Sequence, residues 1–151
     1  MLLSWMAAIA GPEPSPVSVP RAIRSSSRGR GLSPYVGTLH SIRQGHPALC
    51  SDLIEELRAP IVDSLVTALL NKRVIGQGDF YYAETSGGKR GCFLTDAARR
   101  TFIAQFEQRI NTVVQHPRAG INTTWRGCID IQIGHYVQLL RGEVAEYLPI
   151  E

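Results

Sequence analysis

The chain has 151 residues, 44% of them hydrophobic, and a formal net charge of +3, which fits a single domain with an apolar core. Residues 1–30 hold Arg21, Arg24, Arg28 and Arg30 against Glu13 alone, while from Gly31 onward basic and acidic residues balance at twelve each. The excess charge is therefore local, and overall pI is no argument for nucleic-acid binding. Cys50, Cys92 and Cys128 are widely spaced, with no C-x-x-C pair to hold zinc or run thiol exchange, so a reduced, cytoplasmic protein is expected. No apolar run approaches the roughly 18 to 20 residues of a membrane span. "LLSWMAAIA" ends in a small-x-small pattern at Ala8 and Ala10 but lacks the basic segment that opens a secretion signal.

In chain order, "AGPEPSPVSVPRAIRSSSRGRG" combines clustered prolines with serines, arginines and glycines and shows no periodic apolar face. It predicts an extended, flexible leader over residues 1–30, read as a linker, a degenerate leader or a cationic arm. Order is expected from Gly31, after the turn-rich "GLSPYVGTLH". Pro47 suits a helix first turn, with Leu49, Leu53 and Leu57 on one face as far as Arg58. Pro60 should break or kink that helix, and "IVDSLVTALLNKR" should resume it. "GDFYYAETSGGKRGCFLT" reads as one small hairpin with Phe80, Tyr81 and Tyr82 in its core. Its "SGGKRG" lacks the spacing of a phosphate-binding loop.

Thr95 predicts an N-cap for a helix carrying Phe102, Phe106, Ile110 and Val113 on its core face and ending at His116-Pro117. A last helix places Ile129, Ile133, Val137 and Leu140 together and stops at Gly142. No internal repeat is present. The predicted class is mainly α, with one small β-hairpin, over residues 31–151.

Chemistry concentrates in one stretch. Asp52 and Glu55 are three residues apart on a predicted helix and so share a face, whereas Glu56 lies about a hundred degrees round and is expected in solvent. Acids in a first turn often do no more than complement the helix dipole. Mg2+ or Mn2+ nevertheless takes carboxylate oxygens, and Mn2+ also accepts imidazole, so His40 with a helix carboxylate is a coherent ligand pair. Arg43 and Arg58 flank the acids, either as ion-pair partners or as phosphate contacts. His46, His116 and His135 are assigned structural or exposed positions.

The segments "GLSPYVGTLH", "RQGHPALCSDLIEELRAPIVDSLVTALLNKR", "GDF", "GGKRGCFLTDAARRTFIAQFEQR", "HP" and "YLPI" occur in order from Gly31 to Ile150. Together they resemble the C-terminal helical part, the catalytic lobe, of the CRISPR-associated integrase, the metal-dependent adaptation endonuclease. The resemblance implies a homodimer that joins DNA pieces to a CRISPR repeat by attack of a 3'-hydroxyl on a phosphodiester, together with a small ferredoxin-like partner protein. It maps His40 and Glu55 onto the metal ligands, with Asp52 as the neighbouring catalytic acid and Arg58 beside it.

The family also has an N-terminal β-rich domain and a helix that donates a further glutamate, and residues 1–30 match neither. The expectation is thus a truncated member whose site is one carboxylate short. The alternative is a non-catalytic DNA-binding or subunit-contact module derived from that enzyme.

Overall fold

The computed structural model describes residues 19–37, 48–84, 88 and 90–150. His40, Arg43, His46, Pro47 and most of the "TSGGKRG" turn lie outside these residues.

The first element departs from expectation. Val19–Gly29 forms a helix, α1, rather than extended chain. Its Ile23 and Ser27 are fully buried one turn apart, against the helices α2 (Ala48–Leu57) and α5 (Trp125–Leu140). Composition undervalued this segment because a short helix draws its stability from packing more than from propensity. Gly31, at φ 75°, closes α1: the Leu32 N–H donates to the Ser27 carbonyl and the Gly31 N–H to that of Arg28, the bonding pattern of a glycine-terminated helix.

Leu49, Leu53 and Leu57 of α2 face the core as their spacing predicts. At Pro60 the helix neither breaks nor stops. It widens into a π-helical stretch, Arg58–Asp63, and continues as α3, Ser64–Asn71. Proline has no N–H to donate and its ring crowds the carbonyl four residues back, and a wider turn accommodates both. The freed Pro60 carbonyl accepts from Ser64 Oγ and from the Arg109 guanidinium, each at 2.7 Å. Arg109 in turn lies over the Trp125 ring.

The expected hairpin forms from β1 (Phe80–Glu84) and β2 (Arg90–Leu94), antiparallel, with Phe80 opposite Leu94 and Glu84 opposite Arg90. Only its base joins the core: Phe80 and Leu94 meet Val66, Leu69, Ile75 and Phe102. Tyr81 and Tyr82 are 45% and 66% exposed, not hairpin core, because a two-stranded ribbon that leaves the body has nothing to bury its outer half. Arg90 covers the Tyr82 ring, and Tyr81 leans on Phe93.

Thr95 caps α4 (Asp96–Ile110) as expected, accepting from the Ala98 N–H. The helix ends at Ile110, five residues before the expected Gln115. The β-branched run that follows makes a second ribbon, β3 (Val113–Gln115) paired with β4 (Asn122–Thr124). Val113 is 65% exposed there rather than continuing the core face of α4. Thr124 caps α5 through the Gly127 N–H. Ile129 and Ile133 are buried as expected, while Leu140 is exposed near the helix end, and Gly142 ends the element at φ 71°. The chain then returns to bury Ile150 in the core. No helix among the described residues is long and apolar enough to cross a membrane.

Candidate metal and nucleic-acid site

The leucine face of α2 sets the direction of every acid on it. With Leu49, Leu53 and Leu57 turned inward, Asp52 and Glu55 come out on one side, one turn apart. Asp52 is half-buried and packs over Gly37: a Cβ placed on Gly37 would lie 2.6 Å from Asp52 Oδ2 and 2.8 Å from the Ala48 carbonyl carbon. The missing side chain at Gly37 is what lets the irregular segment before the helix lie this close to Ala48 and Asp52. Glu55 is exposed and ion-paired to Arg58, with Nη1 3.0 Å from Oε2. Arg58 Nε also stands 3.7 Å from Asp63 Oδ2, so this guanidinium spans two acids across the π-helical turn.

Glu56 is the residue the sequence reading misassigned. Expected in solvent, its carboxylate is half-buried and accepts from the Tyr147 hydroxyl, from Gln132 Nε2 at 3.1 Å and from the Ile150 N–H at 3.1 Å. Gln132 also donates to the Leu148 carbonyl. Burial, and after it the adjacent carboxylate, push the Tyr147 hydroxyl far above the ordinary tyrosine range. The helical spacing does turn Glu56 toward the apolar side, three residues after Leu53 and seven after Leu49, but its partners, each at least 76 residues away in sequence, left no local signal.

His116 takes the structural role expected of it. It is fully buried, and its Nδ1 accepts from the Arg118 and Ala119 N–H groups at 3.3 and 3.1 Å. Two donors on Nδ1 leave the ring proton on Nε2. Burial, and then the charge of His135, hold its pKa below the usual value, with Gln132 and Glu56 pulling the other way. Burial also pushes up the Cys50 and Cys128 thiols, so both are inert packing residues.

Asp52 and Glu55 offer hard oxygen donors of the kind Mg2+ and Mn2+ take. Among the described residues no group of three His, Cys, Asp or Glu side chains gathers to hold a metal ion. His40 and Arg43 lie outside them, so the α2 carboxylates with Arg58 and Asp63 are the part of the candidate site that the fold arranges.

The family model for CRISPR associated protein Cas1 matches residues 19–108, more than half of the chain. The chain belongs to the Cas1 family. It is 39% identical over 119 residues to a CRISPR-associated endonuclease Cas1 of Thermus thermophilus, covering 79% of this chain and 34% of that one. Among solved structures, a casposase bound to integration product superposes at a TM-score of 0.70 with 23% identity, covering 85% of this chain and 36% of the other. A Cas6-RT-Cas1–Cas2 complex chain superposes at 0.71 with 17% identity, covering 99% of this chain and 14% of that one. At these identities the structural matches speak for the fold alone. The chain spans about a third of the length of the Thermus Cas1 relative and about a fifth of curated Cas4/Cas1 fusion relatives.

The family match begins at Val19, inside the segment read from composition as leader, and agrees with α1 being a packed helix. Cas1 is the integrase and endonuclease family of CRISPR adaptation, and it is metal-dependent.

Proposed function

We propose that this chain carries the metal-binding and DNA-contacting portion of a Cas1-type integrase, with His40 and Glu55 as metal ligands and Asp52 as the adjacent acid. The observation that carries the reading is the pair Asp52, half-buried, and Glu55, exposed, one turn apart on α2 within the stretch that matches the Cas1 model. A bound Mg2+ or Mn2+ would polarise a phosphoryl oxygen and stabilise the leaving oxygen during attack of a 3'-hydroxyl on a repeat phosphodiester. Glu55 would exchange its Arg58 partner for the cation, and Arg58, with Arg43, would then be free to hold a DNA phosphate. The exposed Glu55–Arg58 pair opposes this exchange only weakly, since such pairs contribute about 0–1 kcal/mol.

The DNA would be branched or protospacer DNA together with a CRISPR repeat. A second copy of the chain and a small ferredoxin-like adaptation protein would complete the assembly. The relatives support these partners in kind: one solved neighbour is bound to integration product and another sits in a complex with Cas2.

A second reading is a non-catalytic DNA-binding or subunit-contact module. Mn2+ calorimetry on the wild-type chain, His40→Ala and Glu55→Ala, with nicking of branched DNA, separates the two. Binding lost in both variants, with metal-dependent nicking in the wild type, supports the enzyme. Equal or absent binding in all three leaves the module.

A further inference from the structure

We infer that Glu56 is a positioning residue: the segment Tyr147–Ile150 grips its carboxylate and thereby fixes the rotation of α2, aiming Glu55 and Asp52. The consequence for the metal rests on the function proposed above, whereas the grip itself does not.

Glu55 and Glu56 are consecutive on one helix, so their side chains diverge by about a hundred degrees and any roll of α2 moves both. The leucine face alone resists such a roll softly, because apolar contact is non-directional. The Glu56 carboxylate supplies direction. Three donors from two distant parts of the chain converge on it: the Tyr147 hydroxyl, Gln132 Nε2 and the Ile150 N–H.

The gripping segment is itself pinned on several sides. Ile150 is buried in the core, the Tyr147 ring stands edge-on to Tyr136 at 5.8 Å, and Arg118 Nε donates to the Pro149 carbonyl at 2.8 Å. Gln132 ties Leu148 to the same point. Hydrogen bonds to an ionised acceptor are both stronger and more directional than neutral ones. The π-helical turn follows α2 at once, so the grip acts just before the point where the helical register changes.

The test uses the full chain and three variants. Tyr147→Phe removes one donor and keeps the ring on Tyr136, Glu56→Gln removes the charge and one of the two acceptor oxygens, and Arg118→Ala loosens the segment from its far end without touching the carboxylate. Amide hydrogen exchange reads the grip, and Mn2+ calorimetry, run well below the melting temperature, reads the aim. Expected are exchange in Ala48–Leu57 at least about tenfold faster in each variant with α4 unchanged, and Mn2+ affinity about ten- to a hundredfold weaker, the usual effect of losing a group that orients a ligand.

Lower melting temperature with unchanged Mn2+ affinity would overturn the positioning role and leave the network as packing. If the wild type binds no Mn2+, the metal assignment of Glu55 fails. The exchange data then still decide the grip: acceleration confined to α2 upholds it, and unchanged exchange sinks it.

Discussion

Glu55 and Glu56 stand side by side and meet opposite environments. Glu55 is exposed and shares one arginine with Asp63 across a screened surface, while Glu56 is drawn inward and accepts from three donors. The difference teaches where a carboxylate is free to change partners. An exposed acid in a surface ion pair can give it up at little cost, whereas an acid buried among satisfied donors cannot leave them unpaired. The first is fit to bind a ligand and the second to hold a helix.

The sharpest way to break that comparison is to truncate each acid in turn. Glu56→Ala should cost about 3 kcal/mol in chemical denaturation, because it takes the acceptor from the Tyr147 hydroxyl and the Ile150 N–H. A loss below about 1 kcal/mol would mean that water reaches these groups. Gly37→Ala should cost roughly 1–3 kcal/mol by crowding Ala48 and Asp52. In the same variant, displacement of Asp52 should weaken any Mn2+ binding seen in calorimetry.

The buried network should also shape stability against pH at both ends. Tyr147 keeps its proton in the folded state to higher pH than in the unfolded chain. Above about pH 10 the unfolded state loses that proton first, so stability falls as pH rises. Tyr147→Phe should flatten this limb in denaturation curves taken between pH 9 and about 11. His116 has the opposite sign, since its folded pKa lies below the unfolded value near 6.5. As pH falls through that value the unfolded state takes up the proton first and stability is lost, while above it the contribution is intact. His116→Gln should lessen this acid-side slope.

The smallest effect belongs to the exposed acid. Glu55→Ala should change stability by no more than about 0.5 kcal/mol, even where it abolishes Mn2+ binding. A Glu55 variant as unstable as Glu56→Ala would dissolve the contrast between the two.

Local pattern was enough for much of the body. The leucines of α2, Phe102, Phe106 and Ile110 of α4, and Ile129 and Ile133 of α5 repeat with the helical period, and that period survives folding because one face must be buried. Thr95 worked as a cap because capping needs only the N–H three residues on. The shared face of Asp52 and Glu55 followed from the same geometry. The resemblance at "GTLH" and "SDLIEELR" carried the Cas1 family in the sequence itself.

Other features needed distant partners and could not be read locally. Composition counted the arginines and serines of residues 19–29 but not the surfaces on α2 and α5 that receive Ile23 and Ser27. Val113 matched the helical period by chance and paired instead with Thr124. Tyr81 and Tyr82 look like core until the hairpin is seen to leave the body. Helix spacing separated the directions of Glu55 and Glu56, since that is set within one turn of backbone. The same spacing put Glu56 beside the leucine face and Glu55 opposite it, but that Tyr147, Gln132 and Ile150 would meet Glu56 there depended on elements 76 to 94 residues away, and only their packing into one core could settle it.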